Sequence, residues 1–329
     1  MLRILHDTNY DFIRWWKVMA AITVAFIVLG LGSLLIKPLN LSIEFTGGTL
    51  MQLEFTQPPD VGQIRSSLDE AGIHGAEIQQ FGTNREFTVR AQEKAQVAAQ
   101  SKGAESIAVT IERVLKQKFG ANDLKVMRTE AVGPRVGDEL KRGAIIAILL
   151  SFLITLVYLS IRFEWRFATA AVIATSHDVF TTIAFLKLMH LEISLTVVAG
   201  LLTVLGYSLN DTIIIFDRVR ENLRKGRKET LYETLNRSIN ETLPRSILTH
   251  ATVLAATLSL LIFAGEVIRP FAWVMAFGII TGTFSSIYVA APVLLWIERK
   301  WPRKTSVRPS SSTATPTSRT RPSAATATR

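Results

Sequence analysis

Six apolar runs, near residues 18–36, 143–161, 167–188, 193–216, 246–264 and 271–297, constrain this chain more than any other feature. Each is long enough to cross ~30 Å of hydrocarbon, which takes about 20 helical residues. In lipid every backbone N–H and C=O must be satisfied within the segment, so the runs fold as membrane helices. The last is broken by Gly278, Gly282 and Pro292, which packed membrane helices tolerate. With 48% hydrophobic and 19% charged residues, the chain is too charged to be membrane throughout. A second, aqueous region is therefore expected.

The distribution of charge orients the helices. Eight Lys/Arg residues lie between Arg218 and Arg245, and eight more follow residue 297. Arg3, Arg14, Lys17, Arg162 and Arg166 lie on the same side, whereas the opposite short loops hold only Lys187 and Arg269. Basic residues stay cytoplasmic, so both termini are expected there. Residues 37–142 carry fourteen basic and fourteen acidic side chains, a neutral segment expected outside. The net charge of +10 is thus a matter of topology, and no nucleic-acid partner is implied. The first span ends in Ile36-Lys37-Pro38 with no small-residue cleavage site, as an uncleaved anchor would. With no cysteine, disulfides and metal–thiolate sites are excluded.

The expected division is a cytoplasmic N-terminus (1–17), span one (18–36), an external α+β domain (37–142), and spans two to six (143–297) with a basic cytoplasmic loop at 217–245. Residues 298–329 form a basic cytoplasmic tail, whose stretch from 305 is almost wholly Ser, Thr, Pro, Ala and Arg and too polar to order itself. Membrane lipid is the natural surroundings of the spans. In the external segment, Gly48 to Gln57 alternates as a strand, and Asp60 can cap a helix with Val61, Ile64 and Leu68 on one stripe. Strands near 77–81 and 86–90, a helix at 107–119 and a strand at 124–131 complete a βαββαβ order, the ferredoxin-like pattern. The fold class is therefore an α-helical polytopic membrane protein with six transmembrane helices and this α+β domain between helices one and two. Leu231, Leu235 and Ile239 mark a short amphipathic helix in the basic loop.

Candidate chemistry centres on Asp178, within the third span. A carboxylate near the bilayer midplane costs roughly 2.5–3.5 kcal/mol and usually serves protons, ions or a charged partner. His177 beside it carries an imidazole, which ordinarily titrates near neutrality. The alternative is a neutral Asp hydrogen-bonded in a helix bundle. In span four, Tyr207, Asp211, Ile214 and Arg218 share a helical stripe, with Asn210 and Asp217 on a second. Asp217 and Glu221 also suit an interfacial cap or partners for the basic loop. Asp211 and Arg218 are about 10.5 Å apart along the axis at ~1.5 Å per residue, so a network joining them needs a bridge. His250 in span five lies at a similar depth and can enter that network or be a core histidine. Gly278 and Gly282, followed by Ser285-Ser286, suit close helix packing. No Walker loop, H-E-x-x-H or G-x-S-x-G motif is present, so no enzyme, cofactor or metal site is expected.

Five motifs, in order, then set the chain beside a known family. They are Ile43-Glu-Phe-Thr-Gly-Gly-Thr49, Val132-Gly-Pro-Arg-Val-Gly137, Ser176-His-Asp-Val179, Gly206 to Glu221, and Ser285-Ser-Ile-Tyr-Val-Ala290. Over roughly residues 1–300 the chain resembles the SecF family of bacterial protein-export membrane subunits, within the resistance–nodulation–division superfamily. One departure is Glu44, where Asp is more usual; the carboxylate is kept. The resemblance implies a SecD-like partner completing a twelve-span unit, association with the SecYEG channel and YajC, and a translocating preprotein as client. It implies use of the proton motive force across the bacterial inner membrane, after the ATP-driven step. It makes Asp178 a proton-path residue, supports the Asn210-Asp211 and Asp217-Arg218 region, and makes Gly47-Gly48 a junction of free backbone. The competing expectations are a half-size proton-driven exporter of small molecules or lipids, and a scaffold without transport, which would have no need of Asp178.

Overall fold

The computed structural model describes residues 8–91, 104–225, 229–265 and 267–302. The polar tail from 305 lies outside the described residues. Six helices are long and apolar enough to cross a membrane: Ile13–Leu35, Pro134–Arg162, Trp165–Leu188, Leu195–Arg224, Leu231–Phe263 and Arg269–Lys300. They are spans one to six below. Span two begins at Pro134, which sits at the first helical turn where its missing N–H costs nothing. No breaker follows, so the helix runs through the charged residues ahead of its apolar stretch.

Spans three, four and six form the centre. Phe167, Ala171, Ala174, Ile215, Phe216, Ala290 and Leu294 share one core, and Leu186, Val197, Leu201, Val204, Val274 and Ile279 another. Spans one and two lie at the periphery, with Val28, Leu29, Ile146, Leu149 and Ile154 exposed along them.

The segment expected as a short amphipathic helix in the basic loop is continuous with span five, as a single helix over Leu231–Phe263. A capping box between Thr230 and Glu233 starts it, and Pro244 lies inside. Proline removes one ladder bond, but the helix is anchored on either side: Leu235 and Ile239 before it are buried in the bundle core, and Val253 after it packs against the second core. The same helix clamps the N-terminal segment. Asn240 exchanges two hydrogen bonds with the backbone of Tyr10, each 2.9 Å, and Asn236 accepts from the Ile13 N–H. Asp11 accepts from the Tyr232 hydroxyl at 2.6 Å and the Asn236 amide at 2.9 Å. The Tyr232 bond above all holds its carboxyl below the usual aspartate value.

Between spans one and two, four antiparallel strands, β1 (Gly48–Phe55), β2 (Glu77–Gln80), β3 (Glu86–Ala91) and β4 (Leu124–Val132), pair in the order β2-β3-β1-β4. With helices Val61–Glu70 and Ala104–Phe119 this is the βαββαβ ferredoxin-like fold. Met51, Leu53, Phe55, Phe87 and Val89 face Ile64, Leu68, Ile111 and Leu115 in its core. The opposite face of the sheet looks toward the ends of the spans across a cavity of about 220 Å³.

The domain is stitched to the bundle. Ser42 donates its backbone N–H to the Ile193 carbonyl at 2.9 Å, and Ile193 donates to Asn40 at 2.7 Å. Lys187 is buried but satisfied, donating to the carbonyls of Lys37 and Pro38 at 2.6 and 3.0 Å. Gly47 has φ +71°, and a Cβ there would lie 2.9 Å from Pro134 Cα. Glycine alone permits this close turn between the sheet and the head of span two.

Candidate functional site

Three spans converge on one carboxylate. Asp178 of span three is fully buried. Its Oδ2 accepts from Ser208 Oγ of span four at 2.5 Å and from Ser285 Oγ of span six at 2.7 Å. Its Oδ1 lies 3.1 Å from His177 Nδ1. The His177 ring stacks on Phe284, with centroids 6.5 Å apart. Both serines reach one oxygen because spans four and six approach closely. A Cβ on Gly278 would lie 2.3 Å from Val204 Cγ2, and one on Gly282 would lie 3.0 Å from Ser208 Cβ. Beyond Ser285 the helix loosens into a π turn over Ser286–Ala290, and Ser286 pairs with Thr212 at 2.8 Å. Local π geometry is a common device for re-aiming side chains at a site.

Such a carboxylate can be held in two states. Ionised, it accepts from two hydroxyls and faces an imidazole; protonated, it can donate to a neighbour while the hydroxyls turn. A group that is costly to bury charged, yet surrounded by adaptable donors, suits taking up and releasing a proton.

Asp211 forms a second site on span four. It is nearly fully buried, and its Oδ1 accepts from Ser246 Oγ of span five. Its Oδ2 has no hydrogen-bond partner among the described residues. Ser246 lies four residues, one helical turn, before His250 on span five. His250 Nδ1 lies 2.8 Å from Thr283 Oγ1 of span six, and its ring stands 5.2 Å from that of Tyr207. His250 therefore does sit beside Asp211.

The remaining sequence candidates lie apart from these two carboxylates. Arg218 is not joined to Asp211: its guanidinium donates to Glu241 at 2.5 Å and Glu221 at 2.6 Å. Seven residues of helix separate the two side chains, and these carboxylates are nearer. Asp217 is exposed and 3.7 Å from Arg220. Asn210 lies on the exposed face of span four. Glu44 sits at the domain junction, accepting from the Leu195 N–H at the head of span four at 2.6 Å and from Ser42 Oγ at 3.2 Å.

Sequence reasoning did not single out Ser208, Ser246 or Arg245. A serine in an apolar helix reads as a small packing residue. Arg245 was counted with the basic loop, although it lies within the span-five helix, one residue before Ser246.

Residues 110–300 match the family "Protein export membrane protein SecD/SecF, C-terminal", and residues 32–59 match the "SecD/SecF GG Motif". A protein translocase subunit SecF from Gemmatimonas aurantiaca is 62% identical over 305 residues, covering 92% of this chain and 91% of the relative. One from Vibrio alginolyticus is 41% identical, covering 90% and 92%. The crystal structure of SecDF, a translocon-associated membrane protein from Thermus thermophilus, superposes with a TM-score of 0.79 at 35% identity. The match covers 91% of this chain but 40% of the SecDF chain.

Proposed function

The chain belongs to the SecD/SecF protein-export family as a SecF translocase subunit, and from that premise we propose that it couples proton movement through its spans to the export of preproteins. The observation that carries this reading is Asp178, a fully buried carboxylate gathered by hydroxyls from two other spans. A scaffold gains nothing from the cost of burying it. The energy available is ample, since one charge crossing the membrane is worth roughly 2.3 kcal/mol per 100 mV.

In this proposal the chain is a multi-pass protein of the bacterial inner membrane with both termini cytoplasmic and the ferredoxin-like domain outside. A SecD-like subunit supplies the other half of a twelve-span unit, in keeping with the 40% coverage of SecDF. The unit works beside SecYEG and YajC, on a preprotein already advanced by the ATP-driven step. His177, Asp211, His250 and Arg245 extend the path from Asp178. Arg218, Asp217 and Asn210 belong to its cytoplasmic surroundings. Gly47 and Gly48 form the junction through which the domain is moved.

Asp178→Asn in membrane vesicles tests the proposal. Asparagine keeps the size and one hydrogen-bonding oxygen but cannot exchange a proton. We expect normal insertion and loss of gradient-dependent stimulation of preprotein export. Full stimulation at matched membrane levels would overturn the proton-path role.

A further inference from the structure

Arg90 lies on β3 with its side chain only 10% exposed, yet it belongs to no part of the domain's apolar core. It points from the sheet toward the bundle. Its guanidinium donates to the Leu41 carbonyl and stands 3.6 Å from Glu77 of β2 and 3.6 Å from Glu192. Glu192 is in the loop between spans three and four, adjoining Ile193, whose backbone is bridged to the 40–42 strap. One arginine thus ties the sheet, the strap and the head of span four together. Span four carries Ser208 and Asp211, so whatever holds its head to the domain links the domain to both carboxylate sites.

We propose that Arg90, Glu192 and the Leu41 carbonyl form a latch pinning the ferredoxin-like domain to the head of span four, and that proton uptake by Glu192 releases it. The sidedness of that proton rests on the external placement of the domain proposed above.

The charged groups around Glu192 are Arg90 of β3, Glu77 of β2, Glu44 of the short helix Ile43–Thr46, and Glu130 and Arg128 of β4, which are paired with each other. Burial raises the Glu192 carboxyl above the ordinary glutamate value, Arg90 opposes this, and the three acidic neighbours add to it. As pH falls, Glu192 therefore takes a proton before a free glutamate would, and its attraction for Arg90 is lost. Arg90 then keeps only Glu77, which is 57% exposed, and a carbonyl. Water screens that half-exposed pair, so it holds the arginine only weakly.

Hydrogen exchange on the full chain in lipid nanodiscs tests the latch, with segments 38–46 and 189–196 as reporters and rates corrected for intrinsic exchange. Arg90→Met should speed exchange in both segments roughly tenfold, with Arg90→Lys between it and wild type. Glu192→Gln, the mimic of the protonated residue, should be fast at neutral pH and should lose the acceleration that wild type shows on acidification. β1 amides around Leu53 should stay protected throughout. Wild-type protection in Arg90→Met, or in Glu192→Gln, would overturn the proposal. If Arg90→Met also exposes β1, the domain has unfolded and the Glu192→Gln profile alone decides. Export is not the readout, so failure of the latch and failure of the export reading are separable.

Discussion

Spans two and three differ in a way that inverts the usual rule for soluble proteins. Span two has a mean hydropathy of 2.7 and only 6% of its apolar window is buried by protein; span three has 1.3 and 56%. Spans one, at 2.5 and 6%, and four, at 1.5 and 56%, repeat the contrast. The most apolar helices are the least covered by protein, because lipid is the solvent they face. The polar groups are turned inward: other spans supply the hydrogen bonds of Asp178, Ser208 and Asp211, while the buried hydroxyls of Thr181 and Thr182 return to carbonyls of their own helix. Hydropathy here measures how much of a helix must meet lipid, and a low value in a span marks where protein surrounds it.

The largest test of this contrast moves a carboxylate across it. Leu153→Asp, on the exposed face of span two, should cost roughly 2.5–3.5 kcal/mol of insertion, read as the fraction of chains glycosylated or protected in a membrane-insertion assay. Normal insertion of Leu153→Asp would show that its face is covered as span three is. A smaller effect is expected from packing. Gly278→Ala, whose Cβ would strike Val204, should destabilise by about 1–3 kcal/mol in a detergent-matched melt. Gly143→Ala in span two, with nothing within 4 Å, should be neutral or slightly stabilising.

How far this was legible follows the same division. Long apolar runs and strand alternation are local signals, and they give the six spans and the ferredoxin-like order directly. Asp178 stood out because a carboxylate among Ala, Ile and Phe has no local use. Its partners did not stand out, since Ser208 and Ser285 lie 30 and 107 residues away and find it only when the helices pack. The direct partner of Arg218 was missed for a related reason: a shared helical stripe says nothing about Glu241, which arrives from another helix. The helix through Pro244 was divided in the sequence because its lipid-length apolar run starts only near residue 246, whereas the buried stripe of Leu235 and Ile239 joins the loop helix to it.

Ser285→Ala gives a sharper probe of the buried centre. Removing one hydroxyl from a carboxylate with no access to water should cost about 1–3 kcal/mol, while Ser151→Ala in span two, where the hydroxyl only returns to its own helix at 2.8 Å, should change little. Equal melts for the two would remove Ser285 from the site. The smallest effect is at the edge of the membrane. Arg218→Ala loses two partly exposed ion pairs, one of them to span five, and Arg220→Ala loses one at 3.7 Å together with a stacking contact over the Phe163 ring at 4.9 Å. Each should cost about 0–1 kcal/mol, with Arg218 the larger. An export defect in Arg218→Ala much beyond its change in stability would give it a place in coupling after all.

The clamp of Asn236 and Asn240 on the backbone of Tyr10 and Ile13 sets an order for the making of the molecule. Residues 10 to 13 leave the ribosome well before their partners, which follow 223 to 230 residues later. Through all that synthesis the N-terminal segment has its N–H and C=O groups open to water and to other binders. It can close only after the first four spans have been threaded and the fifth helix has begun. A chain stalled before Asn236 would leave this segment free, so its closure is a chemical record that synthesis has reached the fifth helix.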